Sequence, residues 1–438
     1  MIRTLFAATA AWLLCAAALL AAADIREVTS PGGITAWLVE EHSIPFVSVE
    51  IRFEGGTALD APGKRGATLL MSALLEEGAG DLDSQGFAAA RDDLAAQFEF
   101  DAYDDALTVS ARMLTENRAQ AAALLKSALV APRFDADAIE RVRGQVLSII
   151  QSDALDPNRI AGTTYDHLVF GDHPYGSARY GTAESVAALT RDDLIAAKDA
   201  VMARDRMYVA AVGDITAEEL GALIDDLLGD LPATGAPLPP PAEMDLGGGV
   251  TVVDFDSPQS VVVFGQKGIR RDDPDFFAAY VLNHILGGQG FASRLMNEVR
   301  EKRGLTYGIS TDLLPMDLAA SWQGYFASAN EKVAEAIAVV RAEWARAAAE
   351  GVTQEELDAA KTYLTGSYPL RFDGNGRIAG ILVGMQSEHL PISYVRDRNG
   401  YVEAVTLDDI RRVAARLMTP DALRFVVVGR PVGLPAGG

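Results

Sequence analysis

Apolar and polar positions fall into short strand-like runs and longer helix-like runs, and the succession occurs twice. In the first half, 34–40 and 45–53 are rich in β-branched residues and read as strands. Helical stretches are predicted over 66–77, 84–97, 115–128 and 136–152, with strand-like runs at 98–101 and 106–112 among them. The second half gives strands at 251–255, 260–265, 306–312 and 321–327. Its helices are predicted at 274–286, 291–302, 330–350 and 354–367. Strands grouped between runs of helices predict an α+β fold. Each half should be a mainly antiparallel sheet with helices packed on one face.

The boundary between the halves is chemical. Residues 231–249 read LPATGAPLPPPAEMDLGGG, a Pro/Gly-rich stretch that cannot continue a helix or a central strand. The predicted domains are therefore 24–230 and 250–438, joined by a semi-rigid linker. The halves also repeat. TRDDLIAAKDAVMARDRMYVAAVG, from Thr190, aligns without a gap with TLDDIRRVAARLMTPDALRFVVVG, from Thr406. Seven of the 24 positions are identical. In each copy the Thr is a predicted helix N-cap with two Asp in the first turn, where the helix dipole favours them. A duplicated domain follows, since the period is far too long for a solenoid.

Composition narrows the function. With 38 Lys plus Arg against 61 Asp plus Glu, the chain carries a net charge of −23. Such a surface repels nucleic-acid phosphate and anionic lipid. The first 23 residues carry one charge, Arg3, then an apolar run and Ala21-Ala22-Ala23 before Asp24. This is the pattern of a secretory signal peptide, 1–23, and implies a periplasmic or secreted protein with no membrane span after cleavage. An uncleaved N-terminal anchor is the alternative. The single Cys15 lies in this segment, so the mature chain has no disulfide and no thiol chemistry.

Few segments could carry chemistry. Across 293–310 the sequence is SRLMNEVREKRGLTYGIS, read as an amphipathic helix, a stop at Gly304, then a strand. Arg300 would lie in the last helical turn and Tyr307 on the strand. Arg offers a rigid fork of donors to a carbonyl or carboxylate, and Tyr a hydroxyl on a stiff ring. Spacing alone favours the plainer reading, with Arg300 capping helix carbonyls and Tyr307 filling the sheet face. The five His (His42, His167, His173, His284 and His389) include no pair three or four residues apart. His173 reads as a capping residue and His284 as a core residue. Glu76 and Glu77 are adjacent and face apart on a helix. Gly287–Gly290 lacks the Lys-Ser/Thr of a phosphate loop, and 373–376 lacks the spacing of an EF-hand.

The 287–307 region resembles the pitrilysin/insulinase family of zinc peptidases, which includes mitochondrial processing peptidase. That family's second domain carries a Gly-rich turn, S-R-L, and R-x-K-x-G-L-x-Y. The matching residues here are 287–290, Ser293-Arg294-Leu295, and 300–307. Phe170-Gly171-Asp172-His173-Pro174-Tyr175-Gly176 is a further family-like stretch, and the resemblance spans the mature chain. It implies that Arg300 and Tyr307 help hold a peptide main chain at a zinc site.

The first-domain motif is where the chain departs. The family's H-x-x-E-H supplies two zinc ligands and a general base from one helix. The ungapped frame Gly66–Gly78 puts Leu69, Ser72 and Ala73 at those positions. Leu and Ala cannot ligate zinc, and Ser is a poor base without a partner. The third-ligand region reads Leu147-Ser148-Ile149-Ile150, with no carboxylate. The resemblance thus implies a subunit that binds no metal or cofactor itself. It would form a heterodimer with a zinc-bearing homologue and complete that partner's peptide site with Arg300 and Tyr307. Two other classes stay open: a scaffold or peptide-binding homologue outside proteolysis, and a hydrolase with a different site.

Overall fold

The computed structural model describes residues 24–435 apart from Gln289 and Phe291; the predicted signal peptide lies outside the described residues. The strands in chain order are β1 (Arg26–Thr29), β2 (Thr35–Glu40), β3 (Phe46–Glu54), β4 (Gly78–Ala79), β5 (Leu82–Asp83), β6 (Gln97–Ala102), β7 (Ala106–Leu114) and β8 (Met207–Gly213). The second half adds β9 (Gly249–Asp254), β10 (Gln259–Lys267), β11 (Ile309–Leu314), β12 (Ser321–Ala329) and β13 (Arg424–Gly429). β4 and β5 form a small ribbon. The others build a six-stranded sheet, β1-β2-β8-β3-β7-β6, and a five-stranded sheet, β11-β12-β10-β13-β9. Each is antiparallel except for one parallel pair, β2 with β8 and β13 with β9. The two sheets repeat one topology, so the fold is the duplicated α+β arrangement that the repeat predicts.

Helix boundaries follow local chemistry. Thr190 and Thr406 cap the helices Arg191–Val201 and Leu407–Leu417. Each hydroxyl accepts from the N–H three residues on, and the Asp there reaches back. These capping boxes satisfy backbone donors that otherwise lack partners. The helix predicted over 66–77 is shorter, Ala67–Ala73.

The chain forms two compact units, and they cut across the linker. Among the described residues, the first comprises those through Leu147, 179–238 and 367–398; the second comprises 148–178, 239–366 and those from Asn399 onward. The difference from a simple division at 231–249 has a physical cause: each half lends a helix to the other half's sheet. In the first unit, Ala379, Leu382, Val383 and Met385 of the helix Asn375–Ser387 pack on Trp37, Val39, Ala210 and Val212. Alternation along β2 and β8 turns these residues away from the main helical layer, so this helix covers the opposite face. In the second unit, the helix Pro157–Phe170, started by Asp156 and Pro157, lies on β10 and β13. Gly265 permits this approach, because a Cβ there would stand 2.3 Å from the Tyr165 hydroxyl.

The second unit's main core joins Val262, Phe264, Trp322, Phe326, Phe425 and Val427 of the sheet to Trp344, Val413 and Leu282 of its helices. Two hydrogen-bonded clusters of buried polar groups tie its layers together. Asn283 Oδ1 accepts from the Thr311 hydroxyl at 2.7 Å and from Trp322 Nε1 at 2.8 Å, fastening β11 and β12 to the helix Phe276–Gly287. Trp344 Nε1 donates to Gln266 Oε1 at 2.8 Å. Among the described residues, no helix is long and apolar enough to cross a membrane.

Candidate functional site

The segment that leads to Arg300 and Tyr307 is held by charge pairs on one side and main-chain bonds on the other. Arg294 sends two parallel hydrogen bonds to Glu356, both 2.6 Å. Burial alone would raise the Glu356 carboxyl; the bidentate guanidinium, Thr353 N–H and Thr353 hydroxyl outweigh it and hold the group at about 2. Glu356 also closes a capping box with Thr353, whose hydroxyl accepts from its N–H. Glu298 likewise takes Lys302 at 2.6 Å and Arg303 at 2.7 Å, and these cations keep its carboxyl below the usual range. Of the basic residues in this segment, Arg294, Lys302 and Arg303 are thus committed to structure.

The predicted helix over 291–302 begins later and is wound differently. A π-helical turn runs Met296–Glu301, with Lys302 N–H bonded to the Asn297 carbonyl at 2.9 Å. Such turns insert one residue into the helical register and occur often at functional sites. Arg300 occupies the last turn, as expected, and has an ion pair with Glu301 at 3.5 Å. Gly304, at φ 59°, then reverses the chain in a conformation that suits glycine.

Tyr307 is not on the strand. The Thr306 hydroxyl donates to the Ala327 carbonyl at 2.6 Å, and the ladder begins only at Ile309 opposite Phe326. The side chain has replaced a main-chain rung, and Tyr307 falls in the bend before β11 with 85% of its surface exposed. It therefore does not fill the sheet face. Arg300 and Tyr307 line one cleft of about 660 Å³, together with Met296, Gly308, Ile309 and Tyr325. Tyr325 is oriented by a hydrogen bond to Asn158 Oδ1 at 2.7 Å, and burial raises its hydroxyl pKa. Gln259, which also lines the cleft, and Tyr325 carry no motif signal; only strand pairing brings them here.

The helix Ala67–Ala73 carries the three positions expected to match the zinc motif, Leu69, Ser72 and Ala73. Asp60 accepts from Gly66 N–H, Thr68 N–H and the Thr68 hydroxyl, at 2.7–2.8 Å, and so caps its first turn. Burial, opposed by those bonds, raises the Asp60 carboxyl. Leu69 is half-buried, Ser72 is buried and donates to the Leu69 carbonyl at 2.9 Å, and Ala73 is exposed. These three side chains do not fit a zinc ion. Among the described residues no group of three His, Cys, Asp or Glu could hold a metal. His173 caps as predicted, its Nδ1 accepting from Tyr175 N–H at 3.2 Å. His284 differs from the core residue expected: it is half-buried and stacks on Tyr363, with ring centres 4.9 Å apart.

The fold has counterparts in known proteins. Residues 188–364 match the model of the peptidase M16 inactive domain. The crystal structure of a peptidase M16 inactive domain from Pseudomonas fluorescens superposes with a TM-score of 0.87 at 30% identity, covering 95% of this chain and 100% of that one. The non-peptidase homolog YmxG of Helicobacter pylori is 29% identical over 333 residues, 76% of this chain and 77% of its own length. A protein of Mycobacterium tuberculosis named an uncharacterized zinc protease is 27% identical over 404 residues, 90% and 91% of the two chains. A duplicated α+β fold of the peptidase M16 inactive-domain kind is therefore the class. The chain belongs to the peptidase M16 family, the pitrilysin/insulinase family that its motifs resemble, and is an inactive peptidase homologue within it.

Proposed function

We propose that this chain is the exported, substrate-binding, non-catalytic subunit of a heterodimeric zinc peptidase that degrades or processes peptides. A homologous partner would supply the metal and its base, and this chain would supply Arg300 and Tyr307. The observation that carries the reading is the exposure of Tyr307. A tyrosine left 85% exposed beside Arg300, at the mouth of a cleft, has no packing role that explains it. The Arg300 fork is suited to a peptide carbonyl, and the Tyr307 hydroxyl to donating to a main-chain oxygen or to the oxyanion that develops there. The names of family relatives as zinc proteases support the partner's chemistry. The signal-like first 23 residues support assembly in the periplasm or outside the cell.

The test is reconstitution. The mature chain alone should cleave no peptide, and mixing with a zinc-bearing homologue from the same cell should give a heterodimer with activity. Tyr307→Phe should leave heterodimer content unchanged, by size, and lower turnover about 10²-fold if the hydroxyl is an oxyanion donor. Arg300→Ala should lower it at least as far. Unchanged kcat/KM in both assembled variants would reject the shared site and favour a scaffold.

A further inference from the structure

The cleft continues past Arg300 and Tyr307 into an adjoining cavity of about 480 Å³. Gln259, Arg300, Thr306, Tyr307 and Ala327 line both, so the two form one groove within the second unit, with the Arg300–Tyr307 pair at its middle. The two arms differ in charge. Among the described residues, the arm toward Ile309 and Tyr325 has no ionisable group other than tyrosine hydroxyls beyond Arg300 itself. The other arm adds Lys332 and Glu301. Glu301 is engaged with Arg300. Lys332 has no carboxylate partner among the described residues, and its ammonium donates to the neutral Gly304 carbonyl at 3.0 Å.

Lys267 and Lys361 likewise lack a carboxylate partner among the described residues, but of these three lysines only Lys332 lines the groove. Helix chemistry does not account for Lys332 there. It is the residue before the helix Val333–Glu350, where the dipole disfavours a cation. Fastening the Gly304 turn requires only a hydrogen-bond donor, which an uncharged amide would also supply.

We propose that the Lys332 arm is a carboxylate subsite, so the groove selects peptides that place a negative charge to that side of the Arg300–Tyr307 pair. The carboxylate is an Asp or Glu side chain or a peptide's own C-terminus. The proposal rests on the peptide-binding reading above and adds the substrate's charge. Attraction across a part-exposed pair is modest and screened by salt, so the preference should be about five-fold and should shrink as ionic strength rises.

The test uses the full mature chain and a fluorescent ten-residue peptide in four forms: one internal Glu or Gln, each with a C-terminal acid or amide. Fluorescence anisotropy gives each Kd. The wild type should bind at least one carboxylate form about five-fold more tightly than the Gln amide. The Glu/Gln and acid/amide ratios say which source is read. Lys332→Gln, which keeps a donor for Gly304, should bring the ratio near one, and Lys332→Arg should restore it. Arg300→Ala should weaken all four peptides. Equal affinity for all four in the wild type, with Arg300→Ala still weakening them, overturns the carboxylate subsite and leaves the peptide-binding reading intact. A preference that survives in Lys332→Gln overturns the assignment to Lys332. No binding of any peptide, by the chain alone or assembled with a zinc-bearing homologue, overturns both readings.

Discussion

Replacing Arg294 by Met tests whether the ion pair behind the cleft is structural. Glu356 sits at about 2, against an ordinary value near 4.5. A lowering of that size corresponds to roughly 3 kcal/mol of preference for the charged form in the folded state. The Glu356 side chain is 30% exposed, so solvent screening reduces this to about 2 kcal/mol. The sign follows from linkage. A carboxyl whose folded pKa is depressed stabilises above its unfolded value and loses that contribution as pH falls from about 4.5 toward 2. Urea unfolding followed by tryptophan fluorescence reads the second unit through buried Trp322 and Trp344. At pH 7, Arg294→Met should cost about 2–3 kcal/mol, since it leaves a part-buried carboxylate without its partner. Glu356→Gln strands the guanidinium and should cost a similar amount. The double variant should recover much of the loss, because Arg294 Nη1 is already buried without a hydrogen bond. The wild type's loss of stability between pH 4.5 and 2 should be smaller in Arg294→Met. Strictly additive single costs, or an Arg294→Met cost below about 0.5 kcal/mol, would refute the reasoning.

Other perturbations read other parts of the molecule. Gly265→Ala puts a methyl 2.3 Å from the Tyr165 hydroxyl and 2.8 Å from the Trp322 carbonyl; it should destabilise by about 1–3 kcal/mol, with part of the loss regained by Tyr165→Phe. Thr406→Ala removes a capping box and should lower stability by about 1 kcal/mol, measured by urea midpoint, whereas Thr406→Ser should be near neutral. Elemental analysis of the purified mature chain should find no stoichiometric zinc, and one tightly held ion per chain would overturn the reading of Leu69, Ser72 and Ala73.

Much of the fold was legible because its signals are local. The capped repeats at Thr190 and Thr406 announce themselves in a few residues, and so do the β-branched strands and the Pro/Gly-rich linker. The exchange of helices was not legible. The residues of Asn375–Ser387 look like any half-apolar helix, and nothing local says which sheet they meet. The site divides the same way. Arg300 and Tyr307 follow from a motif, and both lie on the cleft. Placing Tyr307 on a strand failed because the Thr306 side chain takes the Ala327 carbonyl, a competition that propensity does not see. The committed role of Arg294 depends on Glu356, 62 residues away.

The exchanged helices also impose an order in time. The first sheet is complete at Gly213, yet the helix that covers Trp37 and Val212 ends at Ser387. A chain made from its N-terminus must therefore carry an uncovered apolar sheet face until most of the molecule has been synthesised. Contacts of such long sequence separation close slowly and late. The last step of folding is then shared by both units rather than completed by each in turn, and a nascent chain halted inside the linker has no way to finish even its first half.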